Sequence, residues 1–378
     1  MSDRSVFCLS PARPAIPAAL ALAASFALFA CSAAPAGSTP DVTPDAGNGG
    51  GGAPGAGVGG NVGSTGATFS TDGITCTPQL WDAAPTGWAT QGGGTTGGGS
   101  VAPVTVSTLA ELSNAVGNAI PAVVYVSGKI AGSVSIGQNK TILGLCGAEL
   151  DGHIQIGASR NVIIRNLKVV GLNCTDNADC QAGADAVTIE GGAQRVWIDH
   201  CDISDGSDGN LDITQAADYV TVSWTKFWYS GRRAQGHQFS NLVGSSDTST
   251  GDTGHLRVTW HHDWWGANVG ERQPRVRFGQ VHIFNNLYTS SGDNYCVGVG
   301  FFSNILTENN AFINVSDPID STDYSNADSI VVSRGNLYQG GSGQRADKGT
   351  AVFTPPYDYA LDDAAGISAA VMAGAGVK

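Results

Sequence analysis

Arg272, Arg275 and Arg277 crowd around Pro274 in the stretch GERQPRVRFGQ (270–280), and no carboxylate follows Glu271 within it. A guanidinium offers a planar fork of N–H donors that matches a carboxylate bidentately. The chain as a whole is acidic, with a formal net charge of −13. That balance argues against nucleic acid as a partner and makes a local cationic cluster informative. Taken alone, R-x-P-x-x-R also fits a sharp bend whose arginines are merely solvated.

Three acids upstream complete a possible site. Asp185 and Asp208 are 23 residues apart, and Asp212 follows in DGNLD. Gathered on one face, three carboxylates repel one another unless a cation joins them. An all-oxygen ligand set of this kind suits calcium. The alternative is three separate solvated acids at turns. A cation beside a guanidinium cluster makes a site for a polyanion bearing planar carboxylates.

Such residues meet only if the chain repeats at their spacing. The segments NVIIRNLKV, RVWIDHCDI, YVTVSWTKF, HLRVTWHHDWW, QVHIFNNLY, NILTENNAF and SIVVSRGNL each alternate apolar residues and end in a polar or turn-forming element. Alternation with β-branched residues reads as strand. The matching positions are Val162, Val196, Val220, Leu256, Val281, Ile305 and Ile330, mostly 24 or 25 apart, with two longer spacings. A fixed period in the twenties signals a solenoid. One short strand pair per repeat and no helix between repeats point to an all-β chain, a parallel β-helix. Residues one coil apart then lie about 4.8 Å apart along the axis. Asn285/Asn286 and Asn309/Asn310 recur in register, as structural turns whose amides bond from coil to coil. A solenoid needs capped ends. Leu109, Leu112, Val116 and Ile120 share one helical face, and Thr108 with Glu111 forms a capping box for it. The segment from Leu361 is expected to pack on the other end or on the outer wall.

The start of the chain reads differently. Arg4 and Arg13 precede an apolar run from Ala15 to Ala30, short for a membrane span and suited to a signal peptide. It ends in LFAC, so residues 1–31 are expected to be a signal whose Cys31 becomes lipidated; ordinary secretion is the alternative. Residues 32–70 are a low-complexity Gly/Pro/Ser linker that cannot bury a core. The folded domain is expected over 71–378. The remaining cysteines, Cys76, Cys146, Cys174, Cys180, Cys201 and Cys296, suggest disulfides in an exported protein. Cys174 and Cys180, bracketing a short polar loop, are the expected pair; a metal site has the same spacing but no further Cys or His beside it.

Together, NKTILGLCGAELDG, VWIDHCDIS, DGNLDITQAADYVTVSW, NLVGSSD, RQPRVRFGQVHIFNNLY and PPYDYALD resemble the pectate lyase family of polysaccharide lyases, from about Ser107 to the C-terminus. The resemblance implies a right-handed single-stranded parallel β-helix in a bacterial secreted or lipoprotein member. It also implies calcium-dependent cleavage of de-esterified polygalacturonate, the expected partner, by β-elimination to 4,5-unsaturated products. Asp185, Asp208 and Asp212 match the family's Ca2+ ligands, Arg272 its Brønsted base at C5, and Arg277 a substrate carboxylate binder. Arg275 has no matched role and is expected to face elsewhere. Asp199 and His200 look structural. Two positions depart from the pattern: Gly183 replaces an Asp, and Phe239 replaces a Lys, with His237, Gln238, Arg232 and Arg233 near it. The implied reaction asks much of an arginine, because a guanidinium ordinarily keeps its proton beyond pH 12. An alkaline optimum follows. A monomer, secreted or held at the outer surface as a lipoprotein, is expected. The rival readings are a calcium-independent pectin lyase, a glycosidase needing two flanking carboxylates, and a non-catalytic carbohydrate-binding protein using aromatics such as Trp264 and Trp265.

Overall fold

The computed structural model describes residues 69–71, 74–76, 84–172, 185–231, 236–322, 328–340, 343 and 347–378, all within the unit Val58–Lys378. The signal, most of the linker and the Cys174–Cys180 loop lie outside the described residues. Among the described residues no helix is long and apolar enough to cross a membrane.

From Val104 onward the chain winds into a parallel β-helix. Each full coil adds one strand to each of three parallel sheets, of ten, nine and eight strands. The expected strand pair per repeat is thus a triplet. Its third strand escapes a periodicity reading because strands such as Leu242–Val243 and Arg275–Val276 span two residues. The corners between the ten- and nine-stranded sheets are turned by His200, Trp224, His262, Asn285 and Asn309, all in the left-handed region (φ 47–57°).

Val162, Val196 and Val220 stack inward in register, as do Val281 and Ile305. Two matching positions shift. Val258, not Leu256, pairs with Val220 and Val281, and Val331, not Ile330, pairs with Ile305. Leu256, two residues before Val258 and alternating in phase with it, is also buried in the core.

The residue after each left-handed corner forms an internal ladder. Asn286 Nδ2 donates to Asn310 Oδ1 (3.0 Å), and Asn310 Nδ2 to Asn336 Oδ1 (2.9 Å). Asp263 continues the column: its backbone N–H donates to Asn286 Oδ1 (2.8 Å), and its carboxylate accepts from the Thr225 N–H (2.8 Å). Beside it Trp265, Tyr288, Phe312 and Tyr338 stack ring on ring at 4.3–5.3 Å.

Helix α1 (Leu109–Val116) covers one end. Thr108 caps it, in a reciprocal capping box with Glu111. Leu112 and Val116 reach the core, but Gly117 ends the helix, so Ile120 falls outside it and is exposed. Beneath this cap Lys140 is fully buried, its Nζ donating to the carbonyls of Asn118, Ile120 and Gln138 at 2.5–2.9 Å. Helix α2 (Ala364–Gly374) lies on the outer wall, where Ile367 and Val371 cover Leu287 and Ala311 of the nine-stranded sheet. Trp264 is half-buried beneath it, and Trp265 is fully buried and so offers no sugar platform.

Cys146 is disulfide-bonded. Cys201 and Cys296 are free and buried, contrary to the expectation of disulfides throughout. Both pack in the core among aliphatic side chains, and burial pushes the Cys201 thiol up to about 12.

Candidate active site

The eight-stranded sheet gathers the acids. Thr188 pairs with Asp212 across adjacent strands, so the coil position facing Asp185 is Gly209, between Asp208 and Asp212. Leu211 and Ile213 point into the core; alternation turns Asp212 outward. A Cβ placed on Gly209 would lie 2.9 Å from both Asp185 Oδ1 and Asp212 Oδ1. The two oxygens therefore converge over a backbone that only glycine leaves open.

Of the two carboxylates, Asp185 is the less satisfied. Asp185 Oδ2 accepts from the Thr188 hydroxyl (3.0 Å), while its buried Oδ1 has no hydrogen-bond partner. Asp212, 6% exposed, accepts from the Leu242 N–H (2.9 Å). Burial first, and then the neighbouring Asp208, pushes the Asp185 carboxyl up to about 7. Burial, then Asp185, pushes Asp212 well above the usual carboxylate range. Arg272 works against both shifts, so its charge faces this pair.

Asp208 is turned aside. Its side chain is 40% exposed, and His237 Nε2 lies 3.1 Å from its Oδ1. Among the described residues no three His, Cys, Asp or Glu side chains close around one point. The orphaned oxygen, the raised carboxyl pKa values and the glycine cradle suit a hard cation at Asp185 and Asp212. Asp208 is within one residue of that cradle but engaged with His237.

Arg272 has a left-handed backbone (φ 60°) and precedes the cis Gln273–Pro274 bond. Its guanidinium carbon lies 4.2 Å from the Phe239 ring centroid. Arg277 is 8% exposed and already engaged: Nε donates to Asp247 Oδ1 (2.6 Å) and Nη1 to the Gly244 carbonyl (2.9 Å). Arg275 does not face elsewhere. It pairs with Leu242, in the outward column that contains Asp212.

Asp199 and His200 are buried and structural, as expected. Asp199 bonds Arg165 (2.7 Å), Ser223 (2.6 Å) and His200 (2.8 Å), but on the ten-stranded sheet rather than beside the three acids. Sequence reasoning missed the partners: Thr188, Gly209, His237 and Asp247. Gly209 and Asp247 sit inside DGNLD and NLVGSSD, so a signal existed for those two. A cavity of about 520 Å³ lies elsewhere, lined by Thr90, Gln91, Pro355, Pro356, Tyr357 and Asp358, and contains none of these groups.

The family model for pectate lyase matches residues 67–376. Pectate lyase A of Aspergillus niger is 38% identical over 303 residues, spanning 77% of this chain and 86% of that protein. A structure described as giving insights into the substrate specificity and anti β-elimination mechanism of pectate lyase superposes with a TM-score of 0.64 at 25% identity, covering 79% of this chain and 98% of its own. A pectate lyase from Bacillus sp. N165 in complex with trigalacturonate gives 0.63 at 25% identity, covering 78% and 98%. The match over nearly the whole folded domain, on a three-sheet β-helix, means that the chain belongs to the pectate lyase family and is a polysaccharide lyase.

Proposed function

We propose that the enzyme cleaves de-esterified polygalacturonate by calcium-dependent β-elimination. The observation that carries this reading is the convergence of two buried carboxylate oxygens over Gly209, that of Asp185 without a hydrogen-bond partner, with the charge of Arg272 acting on the pair. Two similar proteins, described with trigalacturonate and with an anti β-elimination mechanism, support the substrate and the reaction.

Asp185 and Asp212, with Asp208 once it leaves His237, would hold Ca2+. When bound, the ion supplies Lewis-acid stabilisation of charge on a substrate carboxylate. Arg272 takes the proton at C5, which lies α to that carboxylate. The electron pair left at C5 forms the 4,5 double bond as the bond from C4 to the glycosidic oxygen breaks. Arg272 serves as base in its neutral form, so activity rises into alkaline pH. Asp247 and the Gly244 carbonyl hold Arg277 through Nε and Nη1; Nη2, without a hydrogen bond among the described residues, is the donor left for a substrate carboxylate.

Product end groups test the reaction. Digestion of polygalacturonate should generate 4,5-unsaturated ends absorbing in the ultraviolet. New reducing ends without unsaturation would make the enzyme a hydrolase and end this reading. The proposal extends to a signal over 1–31, a tether over 32–70 and export, with Cys31 as a lipid anchor.

A further inference from the structure

Arg272 has no ion pair and its buried Nε has no hydrogen-bond partner among the described residues. What holds its guanidinium is an aromatic face, Phe239, at 4.2 Å. That face is itself fixed. Phe239 is half-buried, its backbone bridges to Glu271, and its carbonyl accepts from the Tyr229 hydroxyl (2.8 Å). On its other flank the ring meets His237, with centroids 4.3 Å apart.

The backbone aims the arginine there. Between the Phe239–Glu271 bridge and the Leu242–Arg275 pair, the segment carrying Arg272 has one residue more than its partner. This is a bulge, and bulges re-aim side chains. Arg272 occupies it in the left-handed conformation, while its carbonyl accepts from the Asn241 N–H (2.7 Å).

We propose that Phe239 is the positioning residue for Arg272: its ring is the floor on which the guanidinium is held toward Asp185 and Asp212. A carboxylate there would also hold the arginine, but would consume its N–H edges. A ring binds the cation through its face and leaves those edges free. A lysine at 239 would set cation against cation. The inference rests on Arg272 removing the C5 proton, and its test separates the two claims.

The experiment measures kcat, KM and thermal unfolding on polygalacturonate for Phe239→Leu, Phe239→Tyr, Arg272→Lys and the Phe239→Leu/Arg272→Lys double variant. Phe239→Leu should lower kcat about tenfold or more with little change in KM, since misplacing a catalytic group costs turnover rather than binding. Phe239→Tyr, which keeps the ring, should restore it. In the Arg272→Lys background Phe239→Leu should cost little further turnover, because it acts through the arginine. This coupling reads positioning even if Phe239→Leu lowers the Tm, because a purely structural loss would recur in both backgrounds. An unchanged kcat in Phe239→Leu, a rise in KM alone, or equal losses in both backgrounds overturns the positioning role while leaving a severely reduced but measurable turnover of Arg272→Lys, and so the base assignment, intact. Wild-type turnover in Arg272→Lys overturns both.

Discussion

Asp185 and Asp212 give the residue scale its clearest consequence. Burial raises both carboxyls, Asp185 to about 7. A raised acid is held in its protonated form by the folded state. Its contribution therefore favours folding at low pH and is lost as pH climbs from the ordinary carboxylate range through about 7. In chelator, the Tm should fall between about pH 5 and about pH 8, and Asp185→Asn should flatten part of that fall. Added Ca2+ should flatten it too, because a bound cation takes the place of the proton. Differential scanning calorimetry across this range checks it; superimposable curves for wild type and Asp185→Asn would contradict the burial argument.

Among the elements, the corners and the ladder behind them tie successive coils together from Thr225 to Asn336. Asn310 is fully buried and bonds above and below itself, to Asn286, Ile283 and Asn336. Asn310→Leu strands buried donors and acceptors on both neighbouring coils, at a cost on the order of 3 kcal/mol. A chemical denaturation midpoint equal to wild type would show that the ladder is dispensable. The solenoid was legible because inward Val and Ile recur at a near-constant period. The third strand of each coil was not, since two or three residues are too few for alternation to register. The corners at Asn285 and Asn309 were legible from the repeated Asn pairs; those at His200, Trp224 and His262 were not, because unlike side chains adopt the same left-handed turn. That Asp185 and Asp212 share a face was legible from coil spacing and DGNLD; that Asp208 turns aside to His237 was not. Phe239 beneath Arg272 was not, because that contact depends on a single-residue bulge that sequence does not announce.

At the scale of the whole molecule, the proposed function asks an acidic chain to bind an acidic polymer, which needs local cations such as Arg272, Arg275 and Arg277. The proposed tether would hold the catalytic domain off a membrane. Cys31→Ser should abolish lipid modification and move the enzyme from the membrane fraction to the soluble one; native enzyme found unlipidated would favour plain secretion. The most direct test of the account is the rate of unsaturated-product formation on de-esterified polygalacturonate, followed by ultraviolet absorbance in excess chelator and then with Ca2+ restored. The account predicts that activity is lost with chelator and returns with calcium, and that Asp185→Asn and Asp212→Asn recover it only at higher calcium, if at all. Full activity in excess chelator, or a preference for methyl-esterified polymer without calcium, would contradict it.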